Sequence, residues 1–364
     1  MKKIIAMLLA LMLVLGLAAC GSTNEPAAET PAQEETPSTT ETPAEEEATA
    51  EEEAPAEEEA AAEEEAPAEE ATATYTVGIC QLVQHDALDA ATQGFIDALN
   101  AELGEGTVAF DSQNASGDSN TCSTIVNSFV AQDVDLIMAN ATPALQAAAA
   151  ATMDIPILGT SVTEYGVAMG IENFDGTVGG NISGTSDLAP LSEQAAMLVE
   201  LFPEAKNVAL IYCSAEPNSQ YQVDVVEAEL EALGLTAEQY SFSDSNDLAA
   251  VATAACESAD VIYVPTDNTV ASSTGILDGV ARPAGVPVIA GEEGICSGCG
   301  VATLSISYYD LGYQTGVMSA QILTGEADIS TMPIAYAPQF TTKYNAEIAA
   351  ELNVTIPDDY VAIG

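Results

Sequence analysis

From residue 75 onward, short apolar runs alternate with longer stretches in which apolar residues recur every three or four positions. The run at 75–81 is rich in β-branched residues and predicts a strand, whereas Leu88 and Phe95 share one face of a predicted helix. The same pattern begins again after Asp187. In chain order it predicts strands at 75–81, 107–110, 136–139, 155–158, 208–212, 261–264 and 286–290, and helices at 86–103, 119–131, 144–152, 191–202, 219–233, 247–255 and 269–281.

Two such series of similar length predict two α/β lobes. Strands that alternate with helices pair in parallel, and each parallel sheet is covered by helices on both of its faces. Ligands of such sheets bind beyond the carboxyl ends of the strands, where loops and helix N-termini collect. We therefore expect a cleft where the strand ends of the two lobes face each other.

The first 74 residues have a different character. Lys2 and Lys3 precede a short apolar run at 4–15, and small residues lead to Cys20, which is typical of a secretory signal peptide; the alternative is an uncleaved anchor helix. The segment resembles the bacterial lipoprotein signal, which implies removal of residues 1–19, lipidation of Cys20 and attachment to the outer side of the cell membrane. Residues 20–74 then form an acidic segment of Glu, Ala, Pro and Thr, predicted to be a disordered stalk.

The charge of the chain excludes one class of partner. It contains 57 acidic and 5 basic residues, a formal net charge of −52, and only Lys206, Arg282 and Lys343 are basic beyond the N-terminus. Because three basic residues cannot neutralise a phosphate backbone, we expect no binding to nucleic acid. The single histidine, His85, disfavours multi-histidine metal sites and Ser-His-Asp catalysis.

Motifs for cofactors and nucleophiles are missing from the sequence. No predicted strand is followed by a dinucleotide or phosphate-binding glycine motif, and no G-x-S-x-G nucleophile elbow occurs. Six cysteines follow Cys20, and their pairing stays open: the C-x-x-C at 296–299 could form a local disulfide or hold free thiols. We therefore expect no cofactor, no metal and no enzymatic activity.

Polar residues collect at the predicted strand-to-helix junctions of both lobes, either as caps and turn formers or as the walls of a binding cleft. Thr142 before Pro143 is typical of a helix N-cap followed by proline. With almost no basic residues, a ligand carboxylate would rest on hydroxyls and helix N-termini, while Asp267 and Glu292 would hold an ammonium. This combination favours a small zwitterion such as an amino acid.

Several segments resemble one family: QLVQHDALDAATQGF (81–95), ATPALQAAA (141–149), SGTSDLAP (183–190), VPTDNTV (264–270), AGEEG (290–294) and YYDLGYQTG (308–316). They are similar to the ABC-transporter substrate-binding proteins that include tryptophan and tyrosine receptors, with the type I periplasmic-binding-protein fold. The resemblance implies these pocket residues: Gln81, His85, Thr142, Ser161, Asp187, Glu216, Asn218, Ser219, Asp267, Asn268 and Glu292.

The resemblance also implies the organisation of the folded part. Three crossings near 183–187, 302–307 and 336–341 would connect the lobes, with 75–187 and 305–330 in the first lobe and 188–304 and 331–364 in the second. The lobes would close about this hinge on an aromatic amino acid. Expected partners are this solute and the membrane permease and ATPase subunits of an importer, with the receptor as a monomer.

Three other functions stay open at this point. A receptor of the same fold could take a sugar or a nucleoside, or could serve a sensor in place of a transporter. A surface hydrolase would need a dyad of His85 with Cys80 or Cys213, which the spacing does not support. An aromatic wall for the ligand would have to come from Tyr or Phe, since the chain has no Trp; the candidates are Tyr165, Phe174, Tyr221, Tyr308 and Tyr309.

Overall fold

The computed structural model describes residues 73–364, so the predicted signal peptide, Cys20 and the stalk up to residue 72 lie outside it. Within this range the first lobe is built on a sheet of six strands. They are β1 (Tyr75–Gln81), β2 (Val108–Asn114), β3 (Leu136–Asn140), β4 (Ile157–Val162), β5 (Ile182–Ser186) and β11 (Ala335–Tyr336). The strand order is β11-β5-β4-β3-β1-β2, and every pair is parallel.

The second lobe is built on a sheet of seven strands in the described range. They are β6 (Asn207–Cys213), β7 (Thr236–Phe242), β8 (Val261–Val264), β9 (Val288–Ala290), β10 (Ala302–Ser305), β12 (Thr341–Tyr344) and β13 (Val361–Ala362). The strand order is β13-β12-β10-β9-β8-β6-β7. All pairs are parallel except β10 with β12, because the chain returns to this lobe in the opposite direction.

Helices cover both faces of each sheet. The first lobe contains α1 (Asp86–Leu103), α2 (Ser119–Gln132), α3 (Thr142–Ala151), α4 (Tyr165–Met169) and α11 (Tyr308–Leu323). The second contains α5 (Leu191–Leu201), α6 (Pro217–Ala232), α7 (Ser245–Cys256), α8 (Asn268–Ala271), α9 (Thr274–Ala284), α10 (Glu293–Cys299) and α12 (Ala346–Glu351). No helix of the described range combines the length and apolar character that crossing a bilayer requires.

The two-residue period of β1 sets the layers of the first lobe. Val77 and Ile79 pack on one face of the sheet with α1 and α11, whereas Cys80 packs on the other face with α2 and α3. The second lobe repeats this arrangement, with Leu210 facing α5 and α6 and Ile211 facing α7 and α9. The predicted α/β fold of two helix-covered sheets is therefore confirmed.

Glycines bring α11 against α1 in the first lobe. A Cβ atom at Gly312 would clash with the backbone carbonyl of Ala91, and one at Gly94 would clash with the carbonyl of Tyr309. The two helices therefore pack backbone to backbone, a contact that any side chain at these positions would prevent. This packing fixes the start of α11, which follows directly on the second crossing between the lobes.

The chain crosses between the lobes three times, after β5, between β10 and α11, and between β11 and β12. The position of the last crossing shows that the prediction for residues 331–336 is wrong, because they belong to the first lobe and not to the second. Ala335 and Tyr336 pair with Thr185 and Ser186 of the first sheet, so the chain leaves the first lobe after Tyr336. A two-residue strand is too short to produce a hydrophobic period, which is why the sequence pattern did not reveal it.

Other differences concern polar or short elements. The pattern missed β7, an edge strand in which only Ala237 and Phe242 are buried, and it missed α4, α10, α12, β12 and β13. The expected cap at Thr142 is wrong: α3 begins at Thr142, and Ala141 occupies the cap position with φ 91° and no side-chain bond. The six cysteines of the described range are free thiols.

Candidate functional site

A cavity lies between the two lobes, at the carboxyl ends of their strands, where the sequence predicts a cleft. Its accessible volume is about 10 Å³, which is room for about one water molecule. Seven residues of the predicted pocket line it: His85, Ser161, Asp187, Asn218, Asp267, Asn268 and Glu292. Five lining residues were absent from that prediction: Leu88, Thr163, Thr266, Ala271 and Tyr308.

Side chains of the two lobes touch across this cavity. His85 of the first lobe places its Nε2 atom 3.2 Å from Oδ1 of Asn268 in the second lobe. The hydroxyls of Thr163 and Thr266 lie 3.4 Å apart, again one from each lobe. The lobes are therefore closed on each other, and a ligand larger than water needs them to separate.

Several residues that line the cavity carry a polar atom without a hydrogen-bond partner. In the described range, six buried side-chain atoms have no hydrogen-bond partner, and four of them belong to lining residues: Nδ1 of His85, Oγ of Ser161, Oδ1 of Asp187 and Oδ1 of Asn218. Leaving such a group unpaired in the interior costs about 1–3 kcal/mol, and nearly all buried polar groups are paired. Four of them around one small cavity are typical of a site that binds a polar ligand.

Asp187 stands at the first crossing, directly after β5. Its Oδ2 atom accepts a hydrogen bond of 2.9 Å from the hydroxyl of Tyr308, the first residue of α11, while Oδ1 has no partner. Burial raises the pKa of Asp187 above its ordinary value, because no cation compensates for the lost water, and hydrogen bonds offset this in part. Asp187 is thus a buried acid beside the hydroxyls of Tyr308 and Thr163, and its Oδ1 atom makes no hydrogen bond in the closed form.

Asp267 and Glu292 are engaged differently from what the sequence suggested. Asp267 caps α8 by accepting from the backbone N–H of Val270 at 2.9 Å, and its second oxygen accepts from the N–H of Cys213 at 2.7 Å. Glu292 caps α10 by accepting from two backbone N–H groups. Burial raises the pKa of Asp267, and that of Glu292 to about 7. Neither acid has an unpartnered oxygen, so Asp187 is the lining acid that has one.

Ser161 is held at the cavity by an irregular piece of backbone. The register between β4 and β5 shifts between Gly159 and Val162, which inserts one extra residue into β4. Ser161 lies in this bulge with φ 53°, a left-handed conformation that costs a residue with a side chain about 1–2 kcal/mol. Such strain is typical of functional sites, and here it places the hydroxyl in the cavity wall.

Four predicted pocket residues do not line the cavity. Gln81 bonds instead to Asp89 and Thr92 of α1. Thr142 and Ser219 are buried where their helices begin.

The fourth predicted pocket residue that does not line the cavity is Glu216, which contacts the lining residue Asn268. Its carboxylate accepts from the backbone N–H and side chain of Asn268 and from the N–H and hydroxyl of Thr269. Glu216 therefore joins the start of α8 to the start of α6 and fixes the orientation of Asn268.

The lining residues that are missing from the predicted pocket have no sequence feature that distinguishes them from ordinary loop or helix residues. Thr163 and Thr266 are small hydroxyl residues that follow β4 and β8, and Leu88 and Ala271 resemble ordinary helix residues. Tyr308 was one of several aromatic candidates, and of these it is the one that lines this cavity. Tyr165 is a core residue that donates to the carbonyl of Thr185.

Comparison with known proteins places this geometry in context. A family model described as "ABC transporter substrate binding protein" matches residues 76–363. A tyrosine-binding protein from Clostridioides difficile is 37% identical over 263 residues, which cover 71% of this chain and 75% of that protein.

Two solved structures are also similar. One is an ABC domain from Streptococcus pneumonia in complex with L-Trp, with 32% identity, a TM-score of 0.76 and coverage of 80% of this chain and 100% of the other. The other is a ligand-free, open substrate-binding protein with adhesive properties from Clostridium difficile, with 35% identity, a TM-score of 0.62 and coverage of 79% and 99%. The closed lobes of this chain thus superpose better on the L-Trp complex, although the open structure is the more similar in sequence.

Proposed function

Because this chain belongs to the family of ABC transporter substrate-binding proteins, we propose that it captures an aromatic amino acid and delivers it to a membrane importer. Tryptophan, tyrosine and phenylalanine are the candidate ligands. The observation that carries the proposal is the set of unpartnered polar atoms, from both lobes and the hinge, around the interlobe cavity. The ligands named for two relatives, tyrosine and L-Trp, support the aromatic class.

Binding proceeds by closure of the lobes. In an open form His85 and Ser161 of the first lobe are separated from Asn218 of the second, and a ligand that enters can reach both sets. Closing removes water and pairs the buried atoms with the polar groups of the ligand, which stabilises the closed form by the ligand's differential affinity. Tyr308 contributes a ring wall, and its hydroxyl keeps Asp187 in position.

The N-terminal sequence supports a proposal for where this protein is located and how it is attached there. We propose that residues 1–19 are removed, that Cys20 carries the lipid, and that the acidic segment to residue 74 spaces the binding domain from the membrane. The receptor then acts as a monomer beside the permease and ATPase subunits that it supplies.

A thermal-shift panel of the twenty amino acids, together with sugars and nucleosides, tests the proposed ligand. We expect stabilisation by aromatic amino acids only, by about 2.7 kcal/mol at a hundredfold excess over Kd. The matched controls are alanine and leucine, which carry the same ammonium and carboxylate without a ring. A response to sugars or nucleosides alone, or to no compound in the panel, contradicts the proposal.

A further inference from the structure

The charge balance of the cavity is one-sided. Asp187, Asp267 and Glu292 line it, and within the described range no Lys or Arg is among the lining residues. Arg282 pairs with Asp278, Glu347 and Glu351, and Lys343 pairs with Glu293. A bound anion therefore finds no compensating side-chain charge in the cavity wall, whereas a bound cation finds three buried carboxyl groups.

The orientation of Asn218 is fixed by its neighbours. Its Nδ2 atom donates to the carbonyl oxygen of Thr266 at 3.2 Å and faces a carboxylate oxygen of Glu216 at 3.4 Å. Both of these atoms only accept hydrogen bonds, so a flipped amide would place oxygen against oxygen. The unpartnered Oδ1 of Asn218 is therefore an acceptor on a residue that lines the cavity.

The tautomer of His85 follows from the same logic. Nδ2 of Asn268 donates to Glu216 at 2.6 Å, so Oδ1 of Asn268 is the atom that faces Nε2 of His85 at 3.2 Å. Nε2 must then carry the hydrogen, and burial, the largest influence, lowers the pKa of His85, which favours the neutral ring. The unpartnered Nδ1 of His85 is therefore an acceptor as well.

When Asp187 is ionised, three of the four unpartnered atoms only accept hydrogen bonds: Oδ1 of Asp187, Oδ1 of Asn218 and Nδ1 of His85. They come from the hinge, the second lobe and the first lobe. An ammonium group offers three N–H donors and accepts nothing, so it complements this set, whereas the hydroxyl of Ser161 is the one unpartnered group that can donate to a carboxylate.

We infer that this site selects its ligand through the ammonium group, so that arylalkylamines without a carboxylate form a second class of ligands and deaminated aryl acids do not bind. The inference deepens the proposed function and rests on it. A ligand without a carboxylate still pairs the three acceptors of the protein through its ammonium. A ligand without an ammonium leaves these three buried acceptors unpaired around a bound anion.

Calorimetry with two matched series tests this inference on the purified protein: L-tyrosine, tyramine and 3-(4-hydroxyphenyl)propionate, and L-tryptophan, tryptamine and indole-3-propionate. We expect each amine to bind within about tenfold of its amino acid, and each deaminated acid to bind at least about a hundredfold more weakly, since it loses three hydrogen bonds to the ammonium, each of which contributes about 1.5–3 kcal/mol. An acid that binds as well as the amine overturns the inference.

Asp187→Asn provides the test at a single residue. This variant removes the charge but keeps the shape, so the amine should lose more affinity than the amino acid, and the gap between amine and aryl acid should narrow. The control is Asp247→Asn, an exposed acid in the first turn of α7, which should leave both affinities within about twofold because exposed charges are screened by water and salt.

The outcomes separate the two proposals. If the amino acids bind and the amines do not, the inference fails while the proposed function stands. If the amines bind and the amino acids do not, the proposed amino-acid ligand is wrong while the selection for ammonium stands. If no aromatic compound in either series binds, both are wrong.

Discussion

At the scale of single residues, the site depends on which polar atoms remain free after the local structure has used the others. Asp267 and Glu292 are acids at strand ends, as is Asp187, and the sequence pattern assigned the ammonium to the first two. The first two stand before helices and accept the N–H groups of α8 and α10, which those helices leave unpaired. Asp187 is followed by a crossing segment and α5 begins only at Leu191, so no helix N-terminus pairs its Oδ1 atom.

Ser161 offers a test of strain at this scale. Ser161→Ala removes the hydroxyl but keeps a Cβ atom at φ 53°, whereas Ser161→Gly removes both. We expect both variants to lose ligand affinity equally, and the glycine variant to be more stable toward urea than the alanine variant by about 1 kcal/mol. Equal stability of the two would show that the bulge carries no strain, and unchanged affinity would remove Ser161 from the site.

At the scale of elements, long amphipathic or apolar segments are predictable and short or polar ones are not. The expected bounds of β1 and α1 agree with the structure, because both elements bury one continuous face. The polar edge strand β7 buries too few residues to show a period. The helix expected at 269–281 is divided into α8 and α9, and the short α8 owes its position to the cap by Asp267 and the contacts of Glu216.

The contact between α1 and α11 leads to a prediction at this scale. Gly312→Ala places a Cβ atom against the backbone of Ala91, so the helices must move apart, and we expect a loss of about 3 kcal/mol or more in the free energy of unfolding. Urea denaturation measures this loss. The control is Gly279→Ala in α9, where a Cβ atom meets nothing within 4 Å and the change should stabilise by about 0.5–1 kcal/mol. Equal effects of the two substitutions would contradict the close packing.

At the scale of the whole molecule, two lobes joined by three crossings close over the site. The expected type I periplasmic-binding-protein fold is confirmed by the two helix-covered sheets and by the similarity to the L-Trp complex. Because the closed cavity holds about one water molecule, ligand entry requires the lobes to separate. The affinity of the receptor then depends on the free energy of closure as well as on direct contacts.

A reversible covalent link between the lobes tests this requirement. The hydroxyls of Thr163 and Thr266 lie 3.4 Å apart, so Thr163→Cys combined with Thr266→Cys should form a disulfide when the ligand-free protein is oxidised. We expect the oxidised double variant to bind no ligand in calorimetry and to regain binding after reduction. Peptide mass spectrometry verifies that the two introduced cysteines pair with each other and not with one of the six native thiols of the described range. Each single variant serves as a control. Full binding by the verified disulfide form would contradict entry through lobe separation.

The sequence by itself determined the two α/β lobes and the cleft between them, because the hydrophobic period and the order of strands and helices are local properties of the chain. The wall residues were implied by the resemblance to a family, which named seven of the twelve that line the cavity. Only the tertiary structure decided which polar atoms of the lining residues remain without a partner. That choice depends on contacts between distant segments, such as Glu216 with Asn268 and Asn268 with His85, and on a bulge in β4 that appears only when the strand pairs with β5. Hydrogen-bond partners far apart in the chain leave no period in the sequence, and they determine the chemistry of the site.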